Sequence, residues 1–118
     1  MKKVEQDYVD ESRSILARKL SDEAPEMLNQ AREIDGRIGY LYFILAECNA
    51  ELDRQSDAAA EVLKAQGLAA FVLKVKVEAM ASGYRKDRDI VQGLIKASEG
   101  RIMLCQSILR FIKNLPIE

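Results

Sequence analysis

Histidine and tryptophan are both missing from this 118-residue chain. Without histidine the commonest general base and metal ligand is gone, and with it every Ser-His or Cys-His nucleophile pair. Only two cysteines are present, Cys48 and Cys105. They stand too far apart in sequence for the closely paired ligands of a zinc site. No glycine loop of the phosphate-cradling kind occurs: Gly36–Arg37–Ile38–Gly39 falls inside an apolar helical pattern and has no lysine-serine tail. Apolar runs stay well below the ~18 residues of a membrane span. Met1–Lys2–Lys3 leads directly into Val4–Glu5–Gln6–Asp7 rather than into the apolar core of a signal peptide. These absences argue against an enzyme, a metal or other cofactor and a membrane partner, and lead to the expectation of a cytoplasmic protein.

The chain does have the composition of one folded domain. Hydrophobic residues make up 48% and charged ones 31%, enough for a single modest core and unlike a disordered chain. Net charge is −1, but residues 1–63 hold eight Lys/Arg against fourteen Asp/Glu, and residues 64–118 hold ten against five. An acidic half packed beside a basic half, within a chain or between copies, accounts for that split; so does a basic surface for nucleic acid.

The strongest pattern lies in the tail. Val91, Ile95, Ser98, Ile102, Cys105, Leu109 and Ile112 succeed one another at steps of four and three, with Leu94, Ile108 and Leu115 on one flank and Ile90, Ala97, Leu104 and Phe111 beyond. This is an amphipathic helix whose apolar side is wider than a two-stranded coiled-coil stripe, so other helices must cover it. A second seam runs through Met27, Ala31, Ile34, Ile38, Leu41, Leu45, Cys48 and Leu52. Its phase survives Gly36 and Gly39, which favours one helix although the two glycines cost roughly 1–2 kcal/mol. Tyr40, Tyr42, Phe43 and Ile44 add apolar surface there, and this part is expected to be central. Cys48 and Cys105 sit on the two seams, where a thiol acts as a small hydrophobe and suits a reducing compartment.

The remaining stretches read less sharply. Residues 3–20 form a charged helix with a thin apolar edge at Val4, Tyr8, Ile15, Leu16 and Leu20, ended by Ser21–Asp22–Glu23–Ala24–Pro25. Asp53–Arg54–Gln55–Ser56–Asp57 is polar throughout and reads as a break, with Ser56 or Asp57 capping a helix that begins there; Gly67 either ends that helix or dents it. Phe71–Val72–Leu73–Lys74–Val75–Lys76–Val77–Glu78 alternates as a strand would, yet no second strand is in sight to pair with it, so a helix is expected, well buried or at an interface. Pro116 is expected to close the chain. The fold expected is all-α: one domain over 1–118, three to four helices near 3–20, 25–52, 57–82 and 87–114, packed as a helical hairpin or bundle.

Few residues suggest chemistry. Glu47 with Glu51, and Glu23 with Glu26, share helix faces, but these carboxylates are expected on a solvated face, without the Glu-x-x-His of a di-metal bundle. Lys74, Lys76, Arg85, Lys86 and Arg88 are the candidate nucleic-acid contacts, with Lys96, Arg101, Arg110 and Lys113 further along; Tyr84 is the one aromatic placed to stack a base. Glu78, Asp87, Asp89 and Glu99 interleave with these bases and weaken the positive field. Gly93, Gly100, Ser107 and Asn114, seven apart, make a stripe of small residues on the last helix.

Two resemblances add to this reading. Tyr42, Leu45, Ala46, Ala58, Val62 and Ala65 are spaced as in a tetratricopeptide repeat, a helix pair that binds peptides, with an echo at Tyr8, Ser12, Ala24, Leu28 and Ala31. Asn49, Asp53 and Ala70 depart from that pattern, standing where it has an aromatic, a glycine and a proline. The C-terminal third, through Arg88–Asp89–Ile90, Leu94–Ile95, Arg101–Ile102 and Gln106–Ser107–Ile108–Leu109, resembles small all-helical bacteriophage accessory proteins. That resemblance implies a phage or prophage protein acting by binding other proteins, near replication or recombination machinery.

The function expected is a non-enzymatic helical interaction protein that pairs with itself, as a homodimer, and binds another protein in a bacterial or phage-infected cell. Its interface is expected at Phe71, Val72, Val75, Ile102, Leu109 and Ile112, because three wide apolar faces are more than a monomer of this size readily hides. The alternatives are a nucleic-acid accessory factor using the basic half and a tetratricopeptide-like peptide binder.

Overall fold

The computed structural model describes residues 1–114; Leu115 and Pro116, placed by the sequence in the last seam and at the chain's close, lie outside the described residues. The chain forms α1 (Lys3–Leu16), α2 (Ala24–Lys64), α3 (Ala70–Met80) and α4 (Ser82–Lys113), with no strand among the described residues. It is all-α, as expected, and drawn out to 78 × 27 × 19 Å.

The frame is an antiparallel hairpin. α2, at 41 residues, is about 60 Å long, and α3 and α4 run back along it. Met27 and Ala31 near the start of α2 pack with Cys105 near the end of α4, while Leu41, Ile44 and Cys48 pack with Val91, Leu94 and Ile95. Facing residues are thus arranged about the turn at 65–69, where Gly67 takes φ +69°. Left-handed backbone of this kind costs a residue with a Cβ about 1–2 kcal/mol, which is why glycine stands there.

Several helix boundaries differ from expectation: the helix read over 57–82 is divided by the turn at 65–69, its first part joined to α2, and the last helix begins at Ser82 instead of near 87. The polar stretch 53–57 does not break the chain, because Leu52, Ser56, Ala59 and Leu63 continue the four-three seam and Leu52, Ala59 and Leu63 are buried. Glu51 helps there by accepting from Gln55 (2.8 Å) and pairing with Arg54 (2.7 Å). α1 stops at Leu16 instead of Leu20, and the connection after it is tied to α2 by the Ser21 amide on Gln30 (2.8 Å) and the Gln30 amide on the Lys19 carbonyl (3.0 Å). α3 and α4 part only at Ala81, whose amide donates to the Val77 carbonyl (3.0 Å) and whose carbonyl accepts from Arg85 (3.1 Å), so the two are almost one rod.

α1 lies on one side of the middle of the hairpin as a third layer. Glu5, Val9, Ser12 and Ile15, spaced to share a face, are its buried residues, and Val9 is wholly enclosed by Leu41, Ile44, Val91, Leu94 and Ile95. The expected edge was wrong at Val4, which is exposed. Arg37 clamps the layer: its guanidinium lies 4.0 Å over the Tyr8 ring, its Nε donates to Ser12 Oγ at 2.8 Å, and the Tyr8 hydroxyl donates to the Arg37 carbonyl at 3.2 Å. Full burial of aliphatic side chains such as these contributes about 1.5–3 kcal/mol each, so the core sits where three helices meet.

Candidate protein-interaction surface

Beyond α1 the hairpin is only two helices thick. There α3 has no buried residue at all; of the two expectations, well buried or at an interface, the first is not met, because α3 packs mainly against α2 and its other sides are left open. Phe71 is 78% exposed, and Val62, Val72, Val75 and Met80 are exposed around it. At the opposite end Leu104, Phe111 and Met103 stand out from α4. In the middle Leu41 and Ile44 are central, as expected for that stretch, but their neighbours Tyr40, Tyr42 and Phe43 are exposed. Tyr40 stacks on Phe43 with ring centroids 5.7 Å apart.

The six residues expected from sequence to form an interface do not gather in one place. Phe71, Val72 and Val75 are exposed on α3, whereas Ile102 and Leu109 are half-buried in the hairpin seam and Ile112 is at its margin. Thirty residues of nearly continuous helix separate Val72 from Ile102, on the order of 45 Å. The sequence pattern marked both sets as apolar; it held no information on which of them α2 covers.

The bases gather no better. Lys74 and Lys76 are two helical positions apart, about 200° around α3, so they leave on opposite sides. Arg88 is paired with its neighbour Asp89 at 2.9 Å. Lys74, Lys76, Arg85 and Lys86 make no ion pair among the described residues, nor does any ion pair link acidic α2 to basic α3 and α4. The acidic and basic limbs are side by side, but packing of apolar seams holds them there.

Glu23 and Glu26 are exposed, as expected, but Glu47 and Glu51 are half-buried instead of lying on a solvated face. At the N-terminal end of α1 a cleft of about 520 Å³ is lined by Glu5, Glu47, Glu51, Arg54, Tyr84 and Asp87, among others. Glu5 is only 5% exposed; Oε1 accepts the Lys2 amide at 3.3 Å, while Oε2 has no partner. Burial first, and then the Glu47 carboxyl beside it, push the Glu5 carboxyl above the usual carboxylate range. Asp87 on α4 receives the Met1 amine at 3.3 Å. Burial and then Asp87 raise the Cys48 thiol, so it is a poor nucleophile. Tyr42 is raised by its 2.6 Å hydrogen bond to Glu99.

No protein-family model, curated protein or solved structure matches this chain.

The chain's own surfaces therefore carry the functional reading. No group of three or more acidic or cysteine side chains among the described residues is arranged to hold a metal ion, and no described helix is long and apolar enough to cross a membrane. The tetratricopeptide spacing at Tyr42–Ala65 falls on α2, one unbroken helix through Lys64, so the helix–turn–helix that such a repeat requires is not formed there. Glu5 is the residue that sequence reasoning missed among the charges of the first segment. Its signal was its spacing from Val9, Ser12 and Ile15, which puts it on the buried face.

Proposed function

We propose that this chain is a non-enzymatic helical interaction protein that associates with itself as a dimer and binds a protein partner. The observation that carries the reading is the large apolar side chains left in solvent at both ends of a thin hairpin, Val62, Phe71 and Met80 at one end and Leu104 and Phe111 at the other. Beyond α1 the hairpin is two helices thick, so the outer flanks of its limbs are left uncovered there. Contiguous apolar patches beyond a few hundred Å² mark association sites on soluble proteins, and pairing of helical hairpins into a four-helix bundle is the usual solution. The phage-like pattern of the C-terminal third agrees with a small accessory protein that acts by contact in the cytoplasm of an infected cell. Light scattering at micromolar concentration tests the first half: a mass near twice 13.3 kDa is expected, and a mass of 13.3 kDa overturns self-association.

One observation favours a second reading. Among the described residues the bases of α3 and the start of α4 make no ion pair apart from Arg88, which supports nucleic-acid binding along that limb. Such binding would weaken steeply with salt. Absence of binding to single- and double-stranded DNA at low salt overturns it.

A further inference from the structure

The bed in which α1 lies does not end where α1 ends. Val62 comes 18 residues after Ile44, about five turns, so it lies on the side of α2 that α1 covers at Ile44. The cleft residues Glu47, Glu51 and Arg54 continue in the same row to Ala58 and Val62. On the other limb, Asp87 of the cleft is succeeded toward the turn by Met80, Lys76 and Val72 at steps of seven, four and four, again one face by helical spacing; where α3 and α4 meet, the Ala81 amide donates to the Val77 carbonyl and the Ala81 carbonyl accepts from Arg85. Between these rows runs a two-helix groove, about 15 Å long from Arg54 to Lys64, with Val62, Met80 and Val72 exposed in it. It opens at its inner end into the acidic cleft, where among the described residues Glu47 makes no ion pair and Glu5 Oε2 is buried without a partner.

We propose that this groove takes an amphipathic helix from a protein partner, laid end to end with α1, its apolar stripe on Val62, Met80 and Val72 and a lysine or arginine at its inner end set on the Glu5–Glu47 pair. The proposal rests on the partner-binding reading and specifies the partner. Two features commit it to this occupant. One is continuity with an interface already formed, since Val9 of α1 packs farther along against Ile44, at the head of the α2 row, and Val91, one turn beyond Asp87 on the other limb. The other is charge: at the inner end the carboxylates of Glu5, Glu47, Glu51 and Asp87 outnumber the cations of Lys2, Arg54 and the Met1 amine, and they give way to Lys76 farther out. The matching helix is basic where it meets α1 and acidic toward the turn. Its inner cation sets a positive charge beside the Glu5 and Glu47 carboxyls, and no covalent change is involved.

The test uses the full chain and a fluorescent helical peptide of about 20 residues with leucines at steps of three and four, lysines at one end and glutamates at the other. A second peptide has the two ends exchanged in charge by sequence reversal of the charged positions. The matched peptide is expected to bind about tenfold more tightly than the exchanged one, and Val62→Asp, Val72→Asp and Glu47→Gln should each weaken it by about tenfold while Leu104→Asp leaves it unchanged. All four side chains lie at least partly in solvent, and circular dichroism checks that helix content is kept. Equal affinity for both peptides, or no binding, overturns the groove. Loss of binding with Leu104→Asp but not with Val62→Asp or Val72→Asp also overturns it, while leaving partner binding through the far end standing. If light scattering shows a dimer that Val62→Asp converts to a monomer, a second copy fills the groove and the proposal falls, with self-association upheld.

Discussion

The waist of this molecule and its tip are made from the same two antiparallel limbs, yet their interiors differ. At the waist Leu41, Ile44 and Val91 are sealed from water because α1 closes the third side; at the tip Val62, Val72 and Met80 have similar side chains and stay in solvent because nothing does. Two helices bury only the strip where they touch. A third is needed before the flanks become core. The contrast shows that burial here is decided by how far fourteen residues of α1 reach, and much less by how apolar each limb is.

That contrast can be broken most directly at its centre. Ile44→Ala should cost about 2–5 kcal/mol, since a closed site cannot collapse to fill the space, whereas Val62→Ala at the tip should change stability by no more than about 0.5 kcal/mol. Urea denaturation of both variants decides: similar losses would mean that the tip is as well packed as the waist. Removing the clamp tests whether α1 makes the difference. Arg37→Ala forfeits the hydrogen bonds to Ser12 and the Tyr8 carbonyl and the contact with the Tyr8 ring, together worth about 1.5–3 kcal/mol. Amide exchange should then quicken in α1 and in the waist while the tip keeps its rate.

Gly67→Ala sharpens the comparison from the other side. No neighbouring atom crowds a Cβ at that position, so the cost is the backbone's alone, about 1–2 kcal/mol, and thermal denaturation should show it. The smallest effect concerns pH. A carboxyl raised on folding is neutral at low pH in both states, so docking of α1 is strongest below the usual carboxylate range and weakens as pH rises through the raised value of Glu5. Glu47, Glu51, Asp87, Lys2, Arg54 and the Met1 amine surround that site and set the background. Glu5→Gln should flatten the pH dependence of stability between acid and neutral conditions; an unchanged profile would show that Glu5 is not the group responsible.

Much of the frame was legible in the residues. The seams from Met27 to Leu52 and from Val91 to Leu109 are those the hairpin uses, because a long four-three repeat admits one face only. The position of the turn was less plain: the polar run 53–57 looks like a connection by composition, and only the phase of Leu52, Ser56, Ala59 and Leu63 shows that the helix continues to Lys64. Exposure was legible only in part: Phe71, Val72 and Val75, expected at an interface, are exposed, but so are Tyr40, Tyr42 and Phe43 in the stretch expected to be central. Phe71 and Leu41 are both large apolar residues in apolar stretches, and one is bare while the other is enclosed; which happens depends on where a distant helix stops. The cleft at Glu5 escaped for the same reason, since three segments far apart in sequence, at Glu5, Glu47 and Asp87, build it together.

The turn at Gly67 has one more consequence. Every contact between the limbs is made by residues on either side of it, so the same pairings can be satisfied between two chains if residues 65–69 straighten and each chain lends its second limb to the other. Exchange of that kind keeps all the seam contacts and gives up only the fold-back, which makes concentrated refolding the condition under which interlocked dimers of native helix content should accumulate.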